Sequence, residues 1–144
     1  MTILIRALLP EDKPQWLPLW QGYLTFYETE LASEVTDDTW VRVVTPEGNL
    51  GGFGAFNTDG SLLGFALYLL HPGTWGPKPI CYLEDLYVSE AARRTGTGRA
   101  LIDALSDKGR SEDWQHIYWH TAESNKTAQI LYDKLTTRTD RVRY

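Results

Sequence analysis

The chain has one cysteine, Cys81, which excludes an intramolecular disulfide and a multi-cysteine zinc site and points to a reducing compartment. Long apolar runs are also missing. The longest, Leu62 to Leu70, falls well short of the roughly 20 residues a membrane helix needs. The opening Met-Thr-Ile-Leu-Ile-Arg has neither a basic leader ahead of an apolar stretch nor a small-residue cleavage site, so a cytoplasmic protein is expected. Positive charge is scarce in the front of the chain: residues 1–92 hold four basic and twelve acidic side chains. With a net charge of −5 and no basic stripe, the protein is a poor nucleic-acid binder. Histidines number three. His116 and His120 are four apart, but their segment alternates as a strand does, so no metal pair is read there. Repeats, low-complexity tracts and linkers are absent.

What is present is aromatic mass. Six Trp, eight Tyr and four Phe in 144 residues give enough apolar area for one self-sufficient domain over 1–144. Thr2 to Leu8 reads as a strand. Pro10 to Pro14 opens a long helix whose Trp16, Leu19, Trp20, Tyr23, Leu24 and Tyr27 recur at helical spacing. A second helix is predicted from Thr36 to just before Pro46. Phe53–Asn57 and Leu62–Leu70 read as a hairpin around Thr58-Asp-Gly-Ser61, and Ile80–Val88 as a fourth strand. Helices follow at 97–108 and 125–135, with a strand at 116–121 between them. Thr136–Tyr144 leaves room for one short strand. This order predicts an α/β (α+β) fold, a mixed sheet with helices on both faces.

The acidic excess is densest from Glu28 to Asp38, with five carboxylates and no base. Such a run is either a solvated helix end and loop or one wall of a site for a cationic ligand. Residues 93–144 reverse the balance, with ten bases against seven acids, and suit an anionic ligand.

The anionic ligand has a candidate seat. Tyr82-Leu-Glu-Asp-Leu-Tyr-Val88 is followed by Ser-Glu-Ala-Ala-Arg-Arg-Thr-Gly-Thr-Gly98 and an apolar helix. Gly96 and Gly98 let the backbone approach a ligand closely. The amides of the first helical turn lack intrahelical acceptors, and the helix dipole adds positive charge. With Arg93, Arg94 and Arg99 beside them, they make a site for phosphate or pyrophosphate. A P-loop is excluded because Arg99-Ala100, not Lys-Ser or Lys-Thr, follows Gly98. A dinucleotide fingerprint is excluded because Leu101 stands where its third small residue belongs.

Arg93-x-x-Gly96-x-Gly98 resembles the Gln/Arg-x-x-Gly-x-Gly/Ala signature of the GNAT superfamily of N-acetyltransferases. Asn125-Lys-Thr-Ala128-Gln-Ile-Leu-Tyr132-Asp-Lys-Leu135 is similar to the second cofactor-side motif of that superfamily. Tyr82 to Val88 resembles the matching strand of its diamine and polyamine subgroup. The resemblance spans most of the chain and implies a mostly antiparallel sheet whose fourth and fifth strands splay apart. It implies acetyl-CoA as co-substrate, transfer to an amine through a tetrahedral intermediate, and no metal. The backbone of the Leu86-Tyr87-Val88 stretch, at Leu86 and Val88, would pair with the pantetheine arm. The amides of Arg94, Thr95, Gly96, Thr97, Gly98 and Arg99 would hold the pyrophosphate, with Asn125 near the thiol end.

On the acceptor side, a protonated amine must lose a proton before it attacks. Glu84 and Asp85 are adjacent, so on a regular strand only one faces the splay. The resemblance makes Glu84 the base, through a water, and gives Asp85 a second substrate ammonium. Their bland alternative is a structural ion pair. Tyr132 would donate a proton to the leaving thiolate, or else be a core tyrosine. The Leu86 amide would serve the oxyanion. Tyr23, Tyr27, Glu28 and Glu30 would build the acceptor pocket. Cys81 reads as a small buried residue. Many relatives carry Gly-Phe and two strands after the last helix, and this chain departs from that pattern, leaving a sheet edge for a second copy to cover as a homodimer. A non-catalytic acyl-CoA sensor and an antibiotic-modifying enzyme are the competing functions.

Overall fold

A computed structural model describes residues 2–144. Five strands form one sheet in chain order: β1 (Leu4–Ala7), β2 (Leu50–Phe56), β3 (Leu62–His71), β4 (Ile80–Val88) and β5 (Ile117–Tyr118). Pairing is antiparallel through β4, and β5 joins β4 in parallel. The helices are α1 (Lys13–Phe26), α2 (Ser33–Val44), α3 (Thr97–Glu112) and α4 (Lys126–Leu135). This is the mixed, mostly antiparallel sheet the sequence predicts.

Two cores lie on opposite faces. On one, Trp16, Trp20 and Leu24 of α1 and Trp40 and Val43 of α2 pack on Phe65 and Leu67 of β3. Trp16 is fully buried, with its ring 5.1 Å from Trp20 and 4.7 Å from Trp40, so truncating it to alanine costs about 3–5 kcal/mol. On the other face, Leu101, Ile102 and Leu105 of α3 pack with Trp114 on Ala66, Tyr68, Cys81 and Leu83, and Tyr132 and Leu135 of α4 join them. The stripes of α1 and α3 therefore become core along most of their length, while Tyr27 is exposed and the α4 stripe is only partly buried.

Several boundaries differ from expectation. The first helix opens with a separate 3-10 turn, Pro10–Asp12, and α1 runs straight through Pro18. The second helix begins at Ser33 rather than Thr36, because Ala32 accepts from the amides of both Val35 and Thr36. Thr36 is then buried, and its hydroxyl accepts from Trp20 Nε1 at 3.2 Å. The third helix extends past Lys108 to Glu112, where Asp113 turns left-handed at φ 61°. The predicted strand at 116–121 pairs only at Ile117 and Tyr118. Thr136–Tyr144 forms no strand. Its two large apolar side chains, Val142 and Tyr144, are exposed, so no buried face fixes it against the sheet.

Candidate active site

The centre of the site is a break in β4. Leu67 of β3 faces Asp85 while the next residue, Tyr68, faces Leu83, so Glu84 has no partner and bulges from the ladder. The bulge shifts the strand's phase. Cys81 and Leu83 point to the α3 face, and beyond the bulge so does Leu86, while Tyr87 packs toward α1. Glu84 and Asp85 consequently lie on the same side, facing α1 and α2, and both line one cavity of about 520 Å³. The expectation that adjacent residues must take opposite faces fails here because it assumes an unbroken pleat.

That cavity is also lined by Trp20, Tyr23 and Tyr27, whose rings follow one another along α1 at centroid spacings of 5.4 and 4.9 Å. Glu84 is exposed to solvent. Asp85 is partly buried, and burial lifts its pKa to about 6 against the opposing hydrogen bond from the Tyr23 hydroxyl, with the Glu84 charge pushing the same way as burial. Burial, and then the Asp85 charge, keeps Tyr23 protonated well above its ordinary range. An aromatic wall with two carboxylates on its floor is chemically suited to a cationic amine.

Next to the bulge the sheet opens. β5 leaves β4 after the Tyr82–Tyr118 pair. Ser89 N donates to Leu63 O on the β3 side, so by antiparallel alternation the backbone groups of Leu86 and Val88 face the opposite, open edge. Tyr132 borders this opening from the α4 side, its ring set edge-on against Trp119 at 5.4 Å. Burial raises the Tyr132 pKa, and the nearby Tyr27 hydroxyl adds to the effect from the far side of the sheet. Tyr132 therefore remains a proton donor at neutral pH.

The glycine loop completes the constellation. Arg94 and Gly96 have left-handed backbones at φ 63° and 84°, and space around the Gly96 Cα is open. Among the described residues, none of the six amides from Arg94 to Arg99 donates to an acceptor within the chain, whereas Ala100 N already reaches Gly96 O. An uninterrupted row of free N–H groups at a helix N-terminus is an anion cradle. Arg93 is partly engaged, with Nε donating to Val88 O at 3.3 Å and its guanidinium 5.7 Å from the Tyr87 ring centroid. Thr95 and Thr97 bond hydroxyl to hydroxyl at 2.8 Å, which ties the loop to the first turn of α3. Arg99 lies 3.8 Å from Asp103 on the exposed face of α3.

Glu28 and Glu30, expected in the acceptor pocket, are exposed, and their neighbours Thr29 and Leu31 line the cavity instead. Glu28 and Glu30 lie in the exposed connection between α1 and α2, while the rest of the acidic run falls on the first half of α2, where Asp37 pairs with Lys13 and Asp38 with Arg42. Asn125 caps α4, its side-chain oxygen accepting from Ala128 N at 3.3 Å. Cys81 is fully buried, and its thiol, pushed up to about 12 by burial, is no nucleophile. The sequence reading missed Arg42, Trp20, Thr29 and Leu31 in the cavity lining and Trp119 behind Tyr132. Arg42 had a signal, being the lone Lys or Arg between Lys13 and Lys78.

Comparisons with known proteins bear on the fold and the family. The profile of the acetyltransferase (GNAT) family matches residues 6–136. The chain is 38% identical over 143 residues to the D-amino-acid N-acetyltransferase HPA3 of Saccharomyces cerevisiae, covering 99% of this chain and 89% of that protein. Its fold matches a ribosomal-protein-alanine N-acetyltransferase of Brucella melitensis biovar Abortus 2308 at TM-score 0.77 and 22% identity, over 99% and 97% of the two chains. It also matches AAC(6')-Iy in complex with the bisubstrate analogue CoA-S-monomethyl-acetylneamine, at TM-score 0.81 and 20% identity, over 100% and 97%.

Proposed function

The chain belongs to the GNAT family of acetyltransferases, and from that premise we propose that it transfers the acetyl group of acetyl-CoA to the amine of an amino acid held over Glu84 and Asp85. The observation that carries this reading is the β4 bulge, which sets two carboxylates beside the open edge where an acyl carrier would lie. The similarity to a D-amino-acid N-acetyltransferase favours an amino acid over a polyamine or a protein lysine as acceptor. Solved structures this distant share the fold alone and give no weight to the antibiotic-modifying alternative.

The residues divide the work as follows. The amides of 94–99 hold the diphosphate, with Arg93 and Arg94 adding positive charge at the loop and Arg99 at the outer rim. Leu86, Tyr87 and Val88 present the open edge to the pantetheine arm, and the Leu86 N–H faces the developing oxyanion. Asn125 fixes the start of α4 and thereby the height of Tyr132. Acetyl-CoA, when bound, supplies the thioester carbonyl that the amine attacks. Glu84, open to solvent, takes the amine's proton through a water; Asp85 and Tyr23 orient the amine; and Tyr132 protonates the departing thiolate.

A specific observation favours a second assignment of the base. An Asp85 pKa of about 6 lies close to a neutral operating pH, where general bases are most effective. Release of free thiol from acetyl-CoA across a panel of amines tests the function and separates the two. If Glu84 is the base, Glu84→Gln lowers kcat by about 100-fold or more while leaving an inflection near pH 6 in the rate profile. If Asp85 is the base, Asp85→Asn gives that loss and abolishes the inflection. The absence of thiol release with every amine would refute the function and leave a cofactor-binding module. The unpaired outer edge of β5 fits a homodimer, and the cytoplasm is the setting this reading expects.

A further inference from the structure

The cavity over Glu84 and Asp85 is acidic at its floor, yet its lining includes one cation, Arg42 of α2. Arg42 Nε donates to Asp38 Oδ2 at 2.9 Å, one turn earlier on the same helix. Among the described residues its two terminal nitrogens have no hydrogen-bond partner. Asp38 thus holds the guanidinium from behind and leaves open the planar fork that matches a carboxylate. Both members of the pair are more than half exposed, a setting in which an ion pair is weak and leaves the side chain free to turn to a ligand. The remaining walls are mostly apolar, with Leu24, Leu31, Val43, Leu50, Leu67 and the Trp20 ring, and two threonines, Thr29 and Thr39.

We infer that Arg42 binds the carboxylate of the acceptor, which makes the acceptor a zwitterionic α-amino acid with an apolar side chain. This rests on the acetyl-transfer reading and adds to it the residue that selects the substrate. The ammonium goes to Asp85 and Glu84, the carboxylate to the Arg42 fork, and the side chain to the apolar walls. A polyamine would bring a second positive charge toward Arg42 and no carboxylate, so the same residue that favours the amino acid works against the polyamine. Neutralising the substrate's carboxylate leaves the guanidinium without a partner and the substrate without its second anchor.

The test is thiol release from acetyl-CoA with leucine and phenylalanine, both enantiomers of each, against their amides and their decarboxylated amines. The native protein is expected to favour the amino acid by at least about 10-fold in kcat/KM, the range a charge-assisted bidentate contact gives. In Arg42→Gln the KM for the amino acid should rise about 10- to 100-fold with kcat changed only a few-fold, so that the preference ratio falls toward one. Arg42→Lys, a point charge without the fork, should fall between. Titration with coenzyme A checks that each variant is folded. A native protein that acetylates the decarboxylated amines as well as the amino acids overturns the proposal while leaving amine acetylation intact. So does an Arg42→Gln variant that keeps the native ratio. If none of these acceptors releases thiol while another amine of the panel does, the proposal fails and the transfer reading stands; if no amine does, both fail.

Discussion

Asp85 shows at the scale of one residue how the site opposes the fold. Its pKa is about 6 in the folded chain against 3.8 for the ordinary side chain, so above pH 6 the protein carries a charged carboxylate that the unfolded state solvates better. That costs stability, up to about 3 kcal/mol before solvent screening, and the cost is relieved as pH falls through 6 toward 3.8. Asp85→Asn should therefore raise Tm near pH 8 by a few degrees, and the advantage over the native protein should fade near pH 4. Melting curves of both proteins across that range check it, and an advantage that does not shrink on acidification would show that Asp85 is not raised. Asp12 runs the other way. The Arg6 guanidinium, bonded to its two oxygens at 2.8 and 3.0 Å, and the Leu9 amide hold Asp12 below its usual pKa. Its contribution is present above pH 3.8 and is lost as pH falls below. Asp12→Ala should cost about 1–2 kcal/mol at pH 7 in denaturant melts, because it removes the acceptor of the Leu9 amide and the partner of the partly solvated Arg6. Individual residues were unevenly legible from the sequence. Gly96, Glu84 and Tyr132 stood inside recognisable motifs, whereas Arg42 belonged to none and only its isolation among acids marked it.

At the scale of elements, the bounds of β4 were legible because Pro79 and Ser89 bracket an apolar run interrupted only by Glu84 and Asp85. Its bulge was not, although a trace exists: Leu83 and Leu86 are both apolar and three apart, which an unbroken strand facing one core does not produce. Helices α3 and α4 were legible because each pairs a strong stripe with a loop signal ahead of it. The terminal strand was overread, since a count of available residues says nothing about whether they have an apolar face to bury. The loop before α3 gives the sharpest prediction at this scale. An alanine at Gly96 meets no steric neighbour but must adopt φ 84°, at a cost of about 1–2 kcal/mol. Gly96→Ala should both lower Tm and raise the KM for acetyl-CoA, because the loop relaxes away from the conformation that aims its amides. At Gly98 the nearest atoms to an added Cβ are Val88 Cγ2 and Leu131 Cδ2 at 3.7 and 3.8 Å, ordinary contact distances, so Gly98→Ala should be far milder on both readouts. Equal effects of the two substitutions would contradict the role given to the left-handed turn.

For the whole molecule, the split of charge in the sequence runs parallel to the proposed split of sites. The acid-rich front half supplies both carboxylates of the cavity proposed for the acceptor, and the base-rich back half supplies the free amides proposed to hold the diphosphate. β5 pairs with β4 only as far as Tyr82 and Tyr118, and the Tyr27 hydroxyl, after burial, helps to raise the Tyr132 pKa. The β5 edge, left open by an unpaired 136–144 segment, fits a second copy, and light scattering at micromolar concentration should then give twice the chain mass. A mass of one chain would remove the dimer and leave the site unaffected. Everything in the mechanism requires that the amides of 94–99 hold the diphosphate of a thioester carrier. The most direct measurement is a calorimetric titration with coenzyme A and, separately, with pantetheine, which has the same thiol arm without the diphosphate. Saturable binding of coenzyme A at one site per chain, with pantetheine at least about 100-fold weaker, is the predicted result. No heat with coenzyme A, or equal affinity for the two, would contradict it.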